Sequence, residues 1–290
     1  MANADTRFPE DLPPGAPAAL TAGAAGSGAR RPPVPADGLG SHCEYPAMSP
    51  PVRLPLVVTP PHPCNYLPDR VTTIRGFYAE RLPPMLYHRL MDAGFRRSGQ
   101  IVYQPICRGC RRCLQMRVPV DRFAPNKSQR RCRTRNADLS VTIGTPRLTD
   151  EKWLLYERYL SARHPSDAEH DRATLERFLY VSPVQTIEFI YRDAGGRLLA
   201  VGICDVSPSS LSSVYFYFEP DESKRGLGIF GAVMEIEYAA VQRIPHWYAG
   251  YWVEGCAAME YKTAFGPNEV LHPDGMWRQR DSEIAKSVNS

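Results

Sequence analysis

The spacing of apolar positions changes several times along the chain, and each change marks an element. In PPMLYHRLMDAG, Leu86, Leu90 and Met91 fall on one helical face. Pro83 and Pro84 suit a first helical turn and Gly94 a helix end. IVYQP (101–105) reads as a short strand, and LSVTIG (139–144) as another. Thr149 or Asp150 can cap a helix running to about Ala162, with Trp153, Leu154, Tyr156 and Leu160 as its apolar stripe. Asp171 can cap a further helix carrying Leu175, Phe178 and Leu179.

From Gln185 the pattern turns β-rich: TIEFIYRD, a Gly195-Gly196 turn, RLLAVGICDVS, then LSSVYFYFEP, the first two reading as a hairpin. The loop DESKRGLG follows, then the amphipathic helix IFGAVMEIEYAAVQ, a strand HWYAGYWV and a short helix CAAMEYKTAF. Strand, strand, strand, glycine loop, helix, strand, helix describes an α/β layer fold.

Composition bounds the rest. A chain of 290 residues, 43% hydrophobic and 23% charged, is expected to be a soluble globular protein of one or two domains. No run approaches the ~18 apolar residues of a membrane span, so no membrane partner is expected. The N-terminus lacks a charged start followed by an apolar core, which makes the cytoplasm the expected compartment. Residues 1–60, rich in Ala, Pro and Gly, bury too little apolar surface to offset their ordering entropy and read as a disordered tail.

Charge is concentrated in one stretch. Cys107 to Asn136 holds ten Lys or Arg residues against a single acid, Asp121, in a protein of net charge +4. Such a field draws polyanions to one place. Pro119 and Pro125 are expected to break this stretch into extended pieces. The same stretch opens with Cys107, Cys110 and Cys113 at a repeated two-residue spacing. Thiolates so spaced can share a zinc ion or a cluster iron, with Cys64 as a fourth ligand, or can remain free thiols. A zinc or iron–sulfur site is thus left open, with no cofactor required. Cys132, Cys204 and Cys256 stand alone, and the last two read as small buried hydrophobes.

Gly226 and Gly228 lie between a strand end and a helix start, where free backbone N–H groups can bind an anion. The arrangement is similar to the pyrophosphate loop of the acetyltransferase superfamily, although Ser223 stands where that loop usually has Gln or Arg. A simple tight turn explains the glycines equally well.

Longer motifs carry a resemblance. CNYLPDR (64–70), GFRRSG (94–99), YQPICRGCRRCLQMRVPV (103–120) and NKSQRRCRTRN (126–136) resemble the aminoacyl-tRNA–protein transferase family. So do VGICDVSPSSLSSVYFYFEP (201–220), KRGLGIFGAVMEIEYA (224–239) and GYWVEGCAAMEYKTAFGPNEVL (250–271). Together they span about residues 60 to 277, and the likeness is greatest to the bacterial aspartate/glutamate leucyltransferases. The resemblance implies an α/β (α+β) architecture: a smaller N-terminal cysteine- and arginine-rich domain (61–145), an acetyltransferase-like (GNAT-like) domain (146–277) and a short C-terminal tail (278–290). It implies transfer of leucine from leucyl-tRNA to the α-amine of proteins beginning with Asp or Glu, which directs the product to degradation as an N-degron. Arginyl-tRNA is the alternative donor.

An aminoacyl ester is already activated, so the reaction needs no covalent intermediate. A group near the amine could accept its proton. Asp205, on a family motif, is the first candidate, with a turn-capping acid as the plainer reading; Tyr215 is the second. Arg130 and Arg131 are candidates for gripping the acceptor's acidic side chain. Arg111, Arg112, Lys127, Arg133, Arg135, Lys224 and Arg225 are expected on tRNA phosphates, with Gly226 and Gly228 at its terminal adenosine. The departures concern the cysteines. Eukaryotic arginyltransferases carry a second cysteine close to the first and an adjacent pair where this chain has Arg112-Cys113, so a metal site does not carry over intact. Two other classes compete, an acyl-coenzyme A acetyltransferase and a non-enzymatic, zinc-stabilised tRNA-binding module.

Overall fold

The computed structural model describes residues 54–163 and 171–280. Most of the expected N-terminal tail and of the short C-terminal tail lies outside the described residues. The first part contains β1 (Val57–Val58), β2 (His62–Pro63), β3 (Val71–Thr72), β4 (Ile74–Tyr78), α1 (Pro84–Asp92), β5 (Arg96–Ser98) and β6 (Ile101–Pro105). The remainder contains β7 (Cys113–Pro119), α2 (Lys127–Arg135), β8 (Ser140–Gly144), α3 (Asp150–Arg163), α4 (Arg172–Leu175), β9 (Thr186–Arg192), β10 (Leu198–Ser207) and β11 (Ser210–Phe218). These are followed by α5 (Leu227–Val241), β12 (His246–Val253), β13 (Glu269–Leu271) and β14 (Trp277–Gln279).

Two principal sheets result. The smaller has the order β1-β4-β6-β5, and the larger the order β14-β13-β7-β12-β11-β10-β9-β8. β10 is central and almost wholly buried, which is why LLAVGIC reads as a continuous apolar run rather than an alternating one. On one face of the large sheet α5 lays down Leu227, Phe230, Val233 and Ile236 against Leu199, Leu211 and Trp247. On the other, Leu155, Tyr156, Leu160, Leu175 and Leu179 pack on Val201, Ile203 and Tyr217. Gly231 of α5 is required by close approach, because a Cβ there would lie 2.2 Å from the Phe216 ring. Among the described residues no helix is long and apolar enough to cross a membrane.

The elements expected from periodicity form nearly in place, and the β9–β10 hairpin and the strand–loop–helix–strand order are both present. Two expectations fail. Lys127–Arg135 is a helix rather than an extended piece: the Asn126 side chain accepts from Gln129 N (3.0 Å) while Gln129 Oε1 accepts from Asn126 N (2.8 Å). This capping box offsets the poor helical start after Pro125. The sheets also do not part at residue 145, since β7 and β8 belong to the large sheet. The chain enters that sheet at Cys113, so the basic cysteine stretch joins the two sheets instead of lying within one.

Candidate active site

The large sheet parts between β11 and β12. β11 and β12 pair in parallel only through Ser210–His246, Leu211–Trp247 and Ser212–Tyr248. Beyond that point each strand carries an extra residue: Val214 on β11 against β10, and Ala249 on β12 against β7. A bulge bends its strand and increases the local twist, so two bulges at the same level drive parallel neighbours apart. Gly250, at φ 82°, makes the second bulge possible. The result is a gap between the C-terminal halves of β11 and β12, with the loop before α5 at its edge.

Residues of β5 reach across from the small sheet. Successive side chains of a strand face opposite ways, and Arg96 and Arg97 go to different places. Arg97 meets Asp205 of β10 in a two-pronged ion pair, Nε to Oδ2 and Nη2 to Oδ1, both 2.6 Å, with neither side chain exposed. Tyr87 Oη of α1 donates to the same carboxylate at 2.8 Å, and so does Thr186 Oγ1. Burial and the Asp205 charge hold the Tyr87 phenol well above its ordinary pKa. Arg96 instead enters the gap. Its Nη2 donates to Ser213 O (2.8 Å), and its Nη1 lies where a Gly250 Cβ would be, 2.2 Å away.

Opposite Arg96, Lys262 Nζ donates to Tyr251 O on β12 (2.7 Å). Burial and the nearby Arg96 charge lower the Lys262 pKa to about 7. Tyr251 Oη in turn donates to Gly94 O (2.7 Å), tying β12 to the turn before β5. Beneath the sheet, Glu235 of α5 accepts from Trp247 Nε1 (2.8 Å), and burial raises its pKa to about 7.

The expected catalytic pair is corrected by this geometry. Asp205 is buried, and both its oxygens are engaged by Arg97, Tyr87 and Thr186, which makes it a clamp between the two sheets. Tyr215 is half-buried in an aromatic cluster with Tyr156, Tyr159 and Phe178 (centroids 5.4–6.4 Å). Arg130 and Arg131 stand away from this gap. Both are exposed on α2, where Arg130 Nη1 turns back to Pro125 O.

The residues expected on tRNA fall largely at one end of the large sheet. α2 braces the loop before α5: Arg135 Nη1 donates to Lys224 O (2.7 Å) and Asn136 Nδ2 to Arg225 O (2.9 Å). Arg133 pairs with Glu237 of α5 (2.8 Å), and Arg225 with Asp138 and Glu222, so these two charges are partly neutralised. Lys127 and Lys224 are exposed. Gly226, at φ 68°, caps α5, and Gly228 has open space where a Cβ would stand. Arg112 lies beside Gly255, just past the end of β12. Arg111 stands apart, lining a cavity of about 540 Å³ with Gln104, Cys107, Cys110, Cys113 and Gln115.

The four cysteines do share a neighbourhood. Burial, then Cys107, Cys64 and Cys110, push the Cys113 thiol up to about 12. Cys107 is engaged by Thr72 Oγ1 (3.3 Å), and among the described residues no group of three or more His, Cys, Asp or Glu side chains is placed to hold a metal ion. The thiols of Cys64, Cys107, Cys110 and Cys113 lie within electrostatic reach of one another. Cys204 and Cys256 are buried, as their isolation suggested.

Sequence reasoning missed Arg96, Arg97 and Lys262. Two adjacent arginines in GFRRSG, between an apolar helix and an apolar strand, were the available signal. Cations in such a setting have to be paired or to await a partner.

Comparison with known proteins covers most of the chain. A family profile described as arginine-tRNA-protein transferase, N terminus, matches residues 62–131, and its companion for the C terminus matches 151–272. The aspartate/glutamate leucyltransferase of Hahella chejuensis is 40% identical over 220 residues, which cover 74% of this chain and 93% of that protein. That of Stenotrophomonas maltophilia (strain K279a) is 40% identical over 243 residues, covering 80% and 95%. Solved structures overlap more loosely. FemX aligns at a TM-score of 0.40 with 8% identity, covering 59% of this chain and 60% of that one. L-PGS from Bacillus licheniformis aligns at 0.39 with 13% identity, covering 63% and 57%.

Proposed function

The chain belongs to the arginine-tRNA-protein transferase family, and from that premise we propose that it moves leucine from leucyl-tRNA to the α-amine of proteins beginning with Asp or Glu. It is an aminoacyltransferase that joins a tRNA-borne donor to a protein acceptor. The observation that carries the choice of leucine is the 40% identity to aspartate/glutamate leucyltransferases along more than nine-tenths of their length.

The chemistry asks chiefly for placement. The lone pair of the acceptor amine attacks the ester carbonyl, the C–N amide bond forms and the C–O bond to the terminal ribose breaks. The amine's proton leaves with the released hydroxyl. The α-amine, with a pKa near ~8, is already partly free base at neutral pH. Holding it against the ester supplies much of the rate without a nucleophilic side chain. The gap between β11 and β12 is the place for the reacting groups, since Arg96 of the small sheet meets the parting strands of the large one there. Lys127, Arg133, Arg135 and Lys224 face the same end as the glycine loop and provide phosphate contacts for the tRNA, with Gly226 and Gly228 open to its terminal nucleoside.

The test is peptide extension read by mass spectrometry, with peptides beginning in Asp, Glu or Ala and a mixture of leucyl- and arginyl-tRNA. Gain of one leucine on the Asp and Glu peptides alone is expected. Gain of arginine would reverse the donor, and gain on the Ala peptide would remove the acceptor preference.

A further inference from the structure

Arg96 and Arg97 are adjacent and both buried, but only one has a counter-charge. Arg97 is neutralised by Asp205. Arg96 is 9% exposed, its Nη1 has no hydrogen-bond partner, and among the described residues no carboxylate pairs with it. A guanidinium does not shed its proton in a protein, so Arg96 remains a desolvated cation, a state that costs several kcal/mol unless an anion joins it. Lys262 stands at the same gap, close enough for the Arg96 charge to disfavour its own. Each cation is fixed by a main-chain carbonyl of one parting strand, Ser213 O for Arg96 and Tyr251 O for Lys262. Gly250, without a side chain, leaves the room that Arg96 occupies. Two held cations with donor capacity to spare make a built anion site inside the sheet.

We propose that Arg96 and Lys262 together bind the side-chain carboxylate of the acceptor's N-terminal residue, and so select Asp and Glu over neutral residues. One carboxylate oxygen takes Arg96 Nη1 and the other takes Lys262 Nζ. The inference rests on the acceptor class given above and assigns residues to it. A carboxylate suits the site better than a nucleic-acid phosphate. The donors here are the buried Arg96 and the half-buried Lys262, held between two strands, whereas the exposed arginines of α2 offer an accessible surface for a phosphate chain. Charge-assisted bonds of this kind are about twice as strong as neutral ones, which is enough to separate Asp from its neutral isostere Asn. The arrangement also explains why the helical arginines are exposed, since they are not needed for the acceptor.

The experiment is equilibrium binding of C-terminally fluorescein-labelled peptides beginning with Asp, Glu or Asn to the full-length protein, by anisotropy, with tRNA affinity measured in parallel. Wild-type protein is expected to bind the Asp and Glu peptides at least about tenfold more tightly than the Asn peptide, a ratio equivalent to ~1.4 kcal/mol. Lys262→Met should remove most of that preference and leave the affinity for leucyl-tRNA unchanged. Arg96→Lys keeps the charge but loses the fork, and should weaken both acidic peptides while leaving the Asn peptide unaffected. Lys262 is less buried than Arg96, so its variant tests the idea even if changes at Arg96 prevent folding. A wild-type protein without preference for Asp over Asn overturns the proposal, as does a preference that survives both variants. A loss of tRNA affinity with acceptor binding intact would assign the site to phosphate instead. Because the readout is binding, a failure of leucine transfer in the extension assay would count against the proposed function and leave this result standing.

Discussion

Asp205 offers the sharpest test of the geometry, because a clamp and a general base respond oppositely to its removal. In Asp205→Asn the side chain keeps its shape but loses its charge, and Arg97, with no exposed side-chain surface, is left as an uncompensated buried cation. Breaking one side of such a pair costs about 3–5 kcal/mol. For a protein of this size about 1 kcal/mol moves the melting midpoint by roughly 2–4 °C, so a fall of roughly 6–20 °C is expected. Tyr87 and Thr186 each lose part of an acceptor as well. Replacing both partners, Asp205→Leu with Arg97→Met, removes the stranded charge and should recover much of the loss, because a buried pair contributes little net stability over apolar groups of similar volume. The assay is thermal unfolding of the two single variants and the double variant, alongside leucine transfer at a temperature where all are folded. A general base contributes about 10²–10⁴ in rate, so the clamp reading requires kcat of Asp205→Asn to stay within about tenfold of wild type. Refutation would take the form of a variant that melts within a degree or two of wild type and yet loses transfer by more than a hundredfold.

Other consequences are as direct. Glu235 carries a pKa raised to about 7 by burial, so the folded state holds a proton that the unfolded chain releases near the ordinary value of 4.5. Stability should therefore decline as pH rises from about 4.5 to 7, and Glu235→Gln, which can still accept from Trp247, should flatten that decline in unfolding scans. Gly250→Ala places a Cβ on Arg96 at a φ of 82°; a loss of about 1–3 kcal/mol in denaturant unfolding is expected, with weaker binding of acidic peptides. Asn126→Ala removes the capping box of α2 and should cost about 1 kcal/mol by the same measurement. Arg135→Ala, at the junction of α2 and the glycine loop, should weaken tRNA binding and reduce the slope of log affinity against log salt by a little under one.

The local grammar of this chain was legible without coordinates. The apolar stripes marked α1, α3 and α5, the β-rich runs marked β9 to β12, and the glycine-bearing turn before α5 fell where expected, because each depends on residues close in sequence. The motifs in family order were legible for the same reason, being contiguous. What adjacency could not show was which charges meet. Asp205 looked like a catalytic base at the end of a strand, and Arg130 and Arg131 like a carboxylate grip. The register of β5 across the chain decided otherwise, bringing Arg97 to Asp205 over a separation of 108 residues and Arg96 into a gap between strands that themselves come from distant segments. That gap exists because bulges at Val214 and Ala249 fall at the same level of the sheet, a coincidence of register written nowhere in either strand alone. The sequence determined which elements form and what chemistry their residues carry; the tertiary structure decided which cations are neutralised and which are left to bind, since desolvation and pairing depend on neighbours brought together only by folding.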